Sequence, residues 1–177
     1  MSDDAKVQRR LGLVMWLLAW GLALALLTWY FLQKQAQDYN PNQQVQTLDV
    51  QTSGTQAPST QTIVLKQNRQ GHYVASGEIN SKPVVFLLDT GASLVAIPEG
   101  LVDELDLVTG QQISLNTAAG TVTGYRTRVK SLSLGPFTLY DLDAVIMPAD
   151  SNEILLGMNV LRQFELTQRG SKMTIRR

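Results

Sequence analysis

Residues 11–32 read LGLVMWLLAWGLALALLTWYFL, an apolar run with no charge and no proline. Wound as a helix at about 1.5 Å per residue, the run is roughly 33 Å long, enough to cross a hydrocarbon core of about 30 Å. A cleavable signal would have a shorter apolar region and a small-x-small cleavage site, whereas this run ends in the bulky TWYFL. Lys6, Arg9 and Arg10 precede it, and Trp29 and Tyr30 lie near its far end. Basic residues before the span and aromatic residues at the opposite interface predict a cytoplasmic tail over residues 1–10 and a single transmembrane helix over 11–32. The rest of the chain is then expected outside the cytoplasm, in the periplasm or extracytoplasmic space, held to the inner (cytoplasmic) membrane.

Residues 33–61 are rich in Gln, Thr, Ser and Pro and poor in large apolar side chains. A stretch of this composition buries too little surface to offset chain entropy, so the reading is a disordered polar linker. From 62 to 177 the pattern changes to short apolar or alternating runs separated by turn residues. TIVLKQ, HYVASGEI, PVVFLLD, QQISLNT, TVTGYRTRVKSLSL, FTLYDLDAVIMP and KMTIRR read as strands, while PEGLVDELDL and GMNVLRQF have helical character. Many short strands at close spacing predict an all-β domain, a sandwich or barrel with one or two short helices.

Composition narrows the chemistry. The chain carries fifteen basic and fifteen acidic side chains, so no basic surplus points to a nucleic-acid partner. It has no Cys and one His, which removes thiol nucleophiles, disulfides and zinc sites built on those ligands. No metal and no cofactor is expected. His72 has neither a Cys partner nor a nucleophilic serine motif beside it, and is read as a surface or half-packed residue.

Within VVFLLDTGASLVAIP, residues 84–98, one carboxylate stands between two apolar runs. Two nearly continuous apolar runs suggest strands buried on both faces, unlike the half-exposed strands around an ordinary surface hairpin. Gly91 lets the backbone turn sharply and approach a ligand, and Thr90 adds a hydroxyl. A carboxylate in such a place is costly unless something holds its charge or its proton.

FLLDTGAS, residues 86–93, resembles the active-site segment of retroviral-type (retropepsin-like) aspartic proteases. ILLGMNVLRQF, residues 154–164, is similar to that family's apolar-apolar-Gly loop and carboxy-terminal helix, and FELTQRGSKMTIRR looks like its closing hairpin. Anchor, polar linker and one such domain together resemble the bacterial membrane-anchored, single-domain members of that clan. The resemblance implies a retropepsin-like closed acid-protease barrel over residues 62–177 and a catalytic role for Asp89. Thr90, Gly91 and Ser93 would support the catalytic loop, Leu155, Leu156 and Gly157 would form the supporting second loop, and Ala118, Ala119 and Gly120 would be the tip of a flap.

Aspartic proteases use two carboxylates that share one proton across a bound water. This chain has a single Asp-Thr-Gly, and Asp103, Glu104, Asp106, Asp141, Asp143, Asp150 and Glu153 fall in polar or turn contexts. The resemblance therefore implies a homodimer in which Asp89 of each copy meets its twin on a two-fold axis. The implied substrate is an extended peptide or unstructured protein segment, and the implied optimum is acidic. Retroviral members carry an acidic residue at the place of Ser93 and an Arg at that of Met158, so this chain lacks both members of that ion pair. The alternative reading is a noncatalytic peptide- or protein-binding module on the same fold.

Overall fold

In the computed structural model, which describes residues 3–49, 61–117 and 120–177, the apolar run folds as one continuous helix, α1 (Asp3–Tyr39). Leu and Ala, strong helix formers, dominate its centre. Its large apolar side chains from Leu13 to Leu32 are exposed. The stretch Gly12–Tyr39, whose most apolar 18-residue window has mean hydropathy 1.9, is long and apolar enough to cross a membrane. Trp16 and Trp20 lie one turn apart and meet edge to face at 6.0 Å. The Thr28 hydroxyl donates to the Leu24 carbonyl at 2.8 Å, so its polar group is satisfied within the helix.

By its contacts the chain divides into two units, residues 1–38 and 39–177. The second holds two sheets. Strands β1 (Gln46–Asp49), β2 (Gln61–Lys66), β10 (Glu165–Arg169) and β11 (Lys172–Arg176) form a four-stranded antiparallel sheet in the order β1-β2-β11-β10. The other strands are β3 (Val74–Ile79), β4 (Lys82–Leu88), β5 (Val95–Pro98), β6 (Gln112–Thr117), β7 (Gly120–Leu134), β8 (Phe137–Met147) and β9 (Glu153–Leu156). They form a seven-stranded sheet in the order β3-β4-β9-β5-β8-β7-β6. Helix α2 (Met158–Leu161) follows β9 directly. Ile63, Leu65 and Ile175 from the smaller sheet share one core with Phe86, Ile97, Leu132, Ile154 and Leu156 from the larger.

The all-β closed barrel is not what forms. The long α1 helps make the chain 23% helical, a mixed α/β architecture. In the larger sheet, among the described residues, β3 pairs with β7 through two residue pairs, Glu78↔Ser133 and Ile79↔Leu132, and Asn80 just beyond adds bonds to Lys130 and Ser131. That contact needs Gly77, where a Cβ would stand 2.3 Å from the Ser133 carbonyl oxygen and 2.5 Å from the Phe86 ring. The first part of β7 leads away to carry β6, which pairs with β7 alone among the described residues, so the sheet ends in an open edge.

Two local expectations also differ. PEGLVDELDL makes one short 3-10 turn at Glu99–Leu101 followed by irregular turns, because Asp106 adopts φ 53° and burial of both Leu105 and Leu107 pulls the chain inward. Residues 33–61 are not wholly a disordered linker: α1 runs on to Tyr39, and β1 pairs with β2 from Gln46↔Val64 to Asp49↔Gln61. Asn40 and Asn42 between them are buried, although their composition reads as loop.

Candidate active site

The site is built where β4 ends. β4 lies between β3 and β9, paired antiparallel with the first and parallel with the second through Leu88↔Leu156. Phe86 is its one fully buried side chain while Val84, Val85, Leu87 and Leu88 are half-buried; β5 beyond the turn is buried at all four positions. The prediction of double burial therefore holds for β5 and only partly for β4.

Between them Asp89 is half-buried and Thr90, Gly91 and Ser93 are exposed. The Gly91 N–H donates to one carboxylate oxygen of Asp89 at 2.8 Å, and the Ala92 N–H donates to the Asp89 carbonyl at 3.3 Å. A Cβ on residue 91 would stand 3.1 Å from that carboxylate oxygen. Glycine at this position therefore leaves room for the carboxylate it binds. The Asp89 N–H donates to the Leu156 carbonyl at 3.2 Å, fixing the start of the turn to β9.

The second loop clasps the turn from the other side. The Met158 N–H donates to the Ala92 carbonyl at 2.7 Å and the Asn159 N–H to the Ser93 carbonyl at 3.1 Å. Gly157 is extended, with φ −85° and ψ 179°, a conformation open to any residue. Space is what demands glycine: a Cβ would lie 2.3 Å from the Leu94 carbonyl oxygen and 2.9 Å from that of Ala92. Leu155 pairs with Ala96 of β5, so β9 is held on both sides. Backbone bonds thus join the turn and the second loop at Ser93 and Met158, whose side chains offer no ion pair.

Asn159 is a member of this site that the sequence reading passed over as part of a helical pattern. Its side-chain amide donates to the Asp143 carbonyl at 2.8 Å, bracing α2 against β8. The Gln163 side chain donates to its carbonyl at 3.1 Å. The available signal was an amide side chain two residues after the loop glycine, where a helix must find partners for its first turn.

β6 and β7 form the hairpin expected to carry the flap, closing with Thr117↔Gly120. Gly120 has φ 117°, which suits glycine alone, and its carbonyl accepts the Thr117 hydroxyl at 2.7 Å. Ala118 and Ala119 lie outside the described residues. Tyr125 at the base of the hairpin lines two adjoining hollows with Glu99 and Ile146, of about 140 and 420 Å³; neither includes Asp89.

Most of the other acids occupy exposed positions, as read. Asp106 approaches Lys82 at 3.7 Å, and Arg128 grips Asp141 with two of its nitrogens and reaches Asp143 at 3.2 Å. The Arg128 guanidinium holds the Asp141 carboxyl below the ordinary carboxylate range. Glu153 differs, being half-buried and hydrogen-bonded to the Tyr39 side chain. No second aspartate pairs with Asp89 among the described residues. Among the described residues no group of three or more His, Asp or Glu gathers as a metal site.

Comparison with known proteins agrees with this geometry. A family model described as gag-polyprotein putative aspartyl protease matches residues 75–163, which includes the Asp89 turn, the hairpin and the second loop. A Sinorhizobium sp. protein, "Uncharacterized protein in cobV 5'region", is 25% identical over 118 residues, covering 64% of this chain and 51% of that protein. The chain thus spans about half the length of the curated relative it matches. A retropepsin-like aspartic protease from Rickettsia conorii superposes with a TM-score of 0.58 at 19% identity, covering 70% of this chain and 96% of that one. The EIAV protease, solved in complex with the inhibitor HBY-793, gives a TM-score of 0.47 at 19% identity over 56% of this chain and 93% of that one.

Proposed function

The chain belongs to this gag-polyprotein aspartyl protease family, and from that premise we propose that it is a membrane-anchored aspartic endopeptidase whose catalytic carboxylate is Asp89. The observation that carries the reading is the clasped turn: a half-buried carboxylate bonded to the Gly91 N–H, on a loop fastened at Asp89, Ala92 and Ser93 to β9 and α2. Catalysis by carboxylates needs that fixed placement, because charge must be held in position before the reaction rather than by rearrangement during it.

Two copies are required, since peptide hydrolysis of this kind divides base and acid between two carboxylates. With one proton shared by the Asp89 pair, the ionised member takes a proton from water as it attacks the peptide carbonyl. The protonated member donates to the carbonyl oxygen, and a proton then passes to the leaving amine. Thr90 bonds across the two-fold axis, Gly91 and Ser93 shape the turn, and Leu155, Leu156 and Gly157 hold it from behind. The hairpin tip at Ala118, Ala119 and Gly120 closes over an extended peptide or unstructured protein segment. α1 spans the inner membrane once, with the protease unit outside the cytoplasm; confinement to that plane raises the effective concentration of copies.

The test uses the full chain in detergent or lipid discs against a peptide library. Asp89→Asn should unfold at the wild-type temperature while losing at least about a thousandfold in hydrolysis. Random pairing in an equal mixture of the two chains leaves roughly a quarter of pairs with both carboxylates intact, so activity per wild-type chain should fall to about half. Full activity in Asp89→Asn refutes the role of Asp89. Unchanged activity per wild-type chain on mixing, under conditions where subunits exchange, refutes the shared site.

A further inference from the structure

The segment between the end of α1 and β1 is held to the folded unit more closely than a linker requires. Asn42 is 4% exposed. Its side-chain amide donates to the Lys66 carbonyl at 2.8 Å and the Val74 carbonyl at 2.7 Å, while its side-chain oxygen accepts the Lys66 N–H at 2.8 Å. Lys66 ends β2 and Val74 begins β3, so one side chain joins the two sheets. The Ser76 N–H donates to the Asn42 carbonyl at 3.2 Å. Asn40 turns the chain into this position by accepting the Asn42 N–H at 3.0 Å and donating to the Ser76 hydroxyl at 3.0 Å.

The anchoring continues in both directions. Upstream, the Asn68 side chain donates to the Tyr39 carbonyl at 3.1 Å, and the Tyr39 side chain bonds to Glu153 at the start of β9. Downstream, Val45 packs against the core beside Gly135, and β1 adds four residue pairs to the edge of β2. Within the folded unit these contacts belong to residues 39–49, whereas the covalent path from β1 to β2 runs through residues 50–60. Strand addition and a buried amide hold a segment in place whether or not the backbone beyond it is intact.

We propose that residues 39–49 are a latch: a cut between β1 and β2 leaves the folded unit bound to its membrane anchor through noncovalent contacts centred on Asn42. Severing the backbone at 50–60 is therefore one of two steps needed for release, and undocking of the strap is the other. The polar composition between the strands is a place where cleavage carries no immediate release. The occupant of the β2 edge is the chain's own juxtamembrane segment, and the proposal stands independently of whether the unit is a protease.

A site for a sequence-specific protease is placed within residues 50–60 of the full chain, in an Asp89→Asn background so that no self-cleavage contributes. Membranes carrying this chain are cut to completion, sedimented and assayed for residues 62–177 in pellet and supernatant. Most of the unit should stay in the pellet, and an excess of synthetic peptide spanning residues 39–49 should move it to the supernatant. Asn42→Ala in the same chain should release about tenfold faster or more, since it leaves the buried Val74 carbonyl and the part-buried Lys66 N–H and carbonyl without their partner. The peptide arm needs no substitution in the strap and so answers even if Asn42→Ala folds poorly. Prompt release of the cut native chain, or retention that the peptide does not displace, overturns the latch. Equal release from native and Asn42→Ala chains overturns the role given to Asn42.

Discussion

Gly157→Ala tests how the Asp89 turn is held. The new Cβ would lie 2.3 Å from the Leu94 carbonyl oxygen, 2.6 Å from its carbonyl carbon and 2.9 Å from the Ala92 carbonyl oxygen. These are backbone atoms, so no side chain can rotate away to make room. Ordinary contact begins near 3.4 Å, and the second loop and the turn must therefore separate by about 1 Å. The two bonds that cross this gap, Met158 N–H to Ala92 at 2.7 Å and Asn159 N–H to Ser93 at 3.1 Å, are stretched or lost with it. Overpacking at about 1–3 kcal/mol and two weakened hydrogen bonds at about 1 kcal/mol each give a loss of roughly 2–5 kcal/mol. Thermal and denaturant unfolding of the purified chain measures this directly. On the proposed function, a displacement of this size also lowers turnover by about a hundredfold in whatever fraction stays folded. Gly157→Ala within about 0.5 kcal/mol of wild type, with turnover unchanged, would refute the clasp.

Gly77→Ala meets the same kind of obstacle, a Cβ 2.3 Å from the Ser133 carbonyl oxygen, but in β3 opposite Val84, away from the turn. It should cost about 1–3 kcal/mol in unfolding experiments while leaving turnover per folded molecule near wild type, which separates general packing from the clasp. Asp141 sits mid-strand at φ 56° with its carboxylate gripped by Arg128. Asp141→Gly should melt above Asp141→Ala, since both lose the ion pair and only alanine places a Cβ in the left-handed region. Arg128 depresses the folded-state value of the Asp141 carboxyl, so the pair's contribution is fully present above the ordinary carboxylate range and disappears as pH falls through the folded value. The melting difference between wild type and Asp141→Asn should accordingly narrow below about pH 4, as followed by a pH series of thermal unfolding curves.

The turn and its second loop were legible because their requirements are local. An apolar run ending in Asp-Thr-Gly and another ending in Leu-Leu-Gly each record a strand that stops at a tight turn; at Gly157 a side chain would collide with backbone, and at Gly91 it would crowd the Asp89 carboxylate. Likewise β7 and β8 alternate over 127–130 and 137–140, although the pattern slips near Lys130 and Asp141 and β8 is buried throughout 144–146. The strap was not legible. Tyr39-Asn40-Pro41-Asn42 carries turn residues, and the partners that bury Asn42 lie at Lys66, Val74 and Ser76, contributed by strands whose placement no local pattern reveals. The open sheet was not legible for a related reason: the sequence marks most of the strands, whereas Gly77 and the branching of β7 toward β6 decide where the arms stop.

The missing charges at Ser93 and Met158 acquire a different meaning once the bonds around them are known. An ion pair between those positions would tie the turn to α2 through side chains, subject to salt and pH. Here the Ala92 and Ser93 carbonyls accept directly from the Met158 and Asn159 N–H groups, and Asn159 carries the brace onward to β8. Backbone bonds at a buried glycine cannot titrate and are poorly reached by salt. Each chain therefore fastens its own carboxylate, and a partner copy need not complete that support. What a partner must supply is narrower, a second carboxylate to share the proton, and on the proposed function that is the reason a half-site can be stiff and still inactive alone.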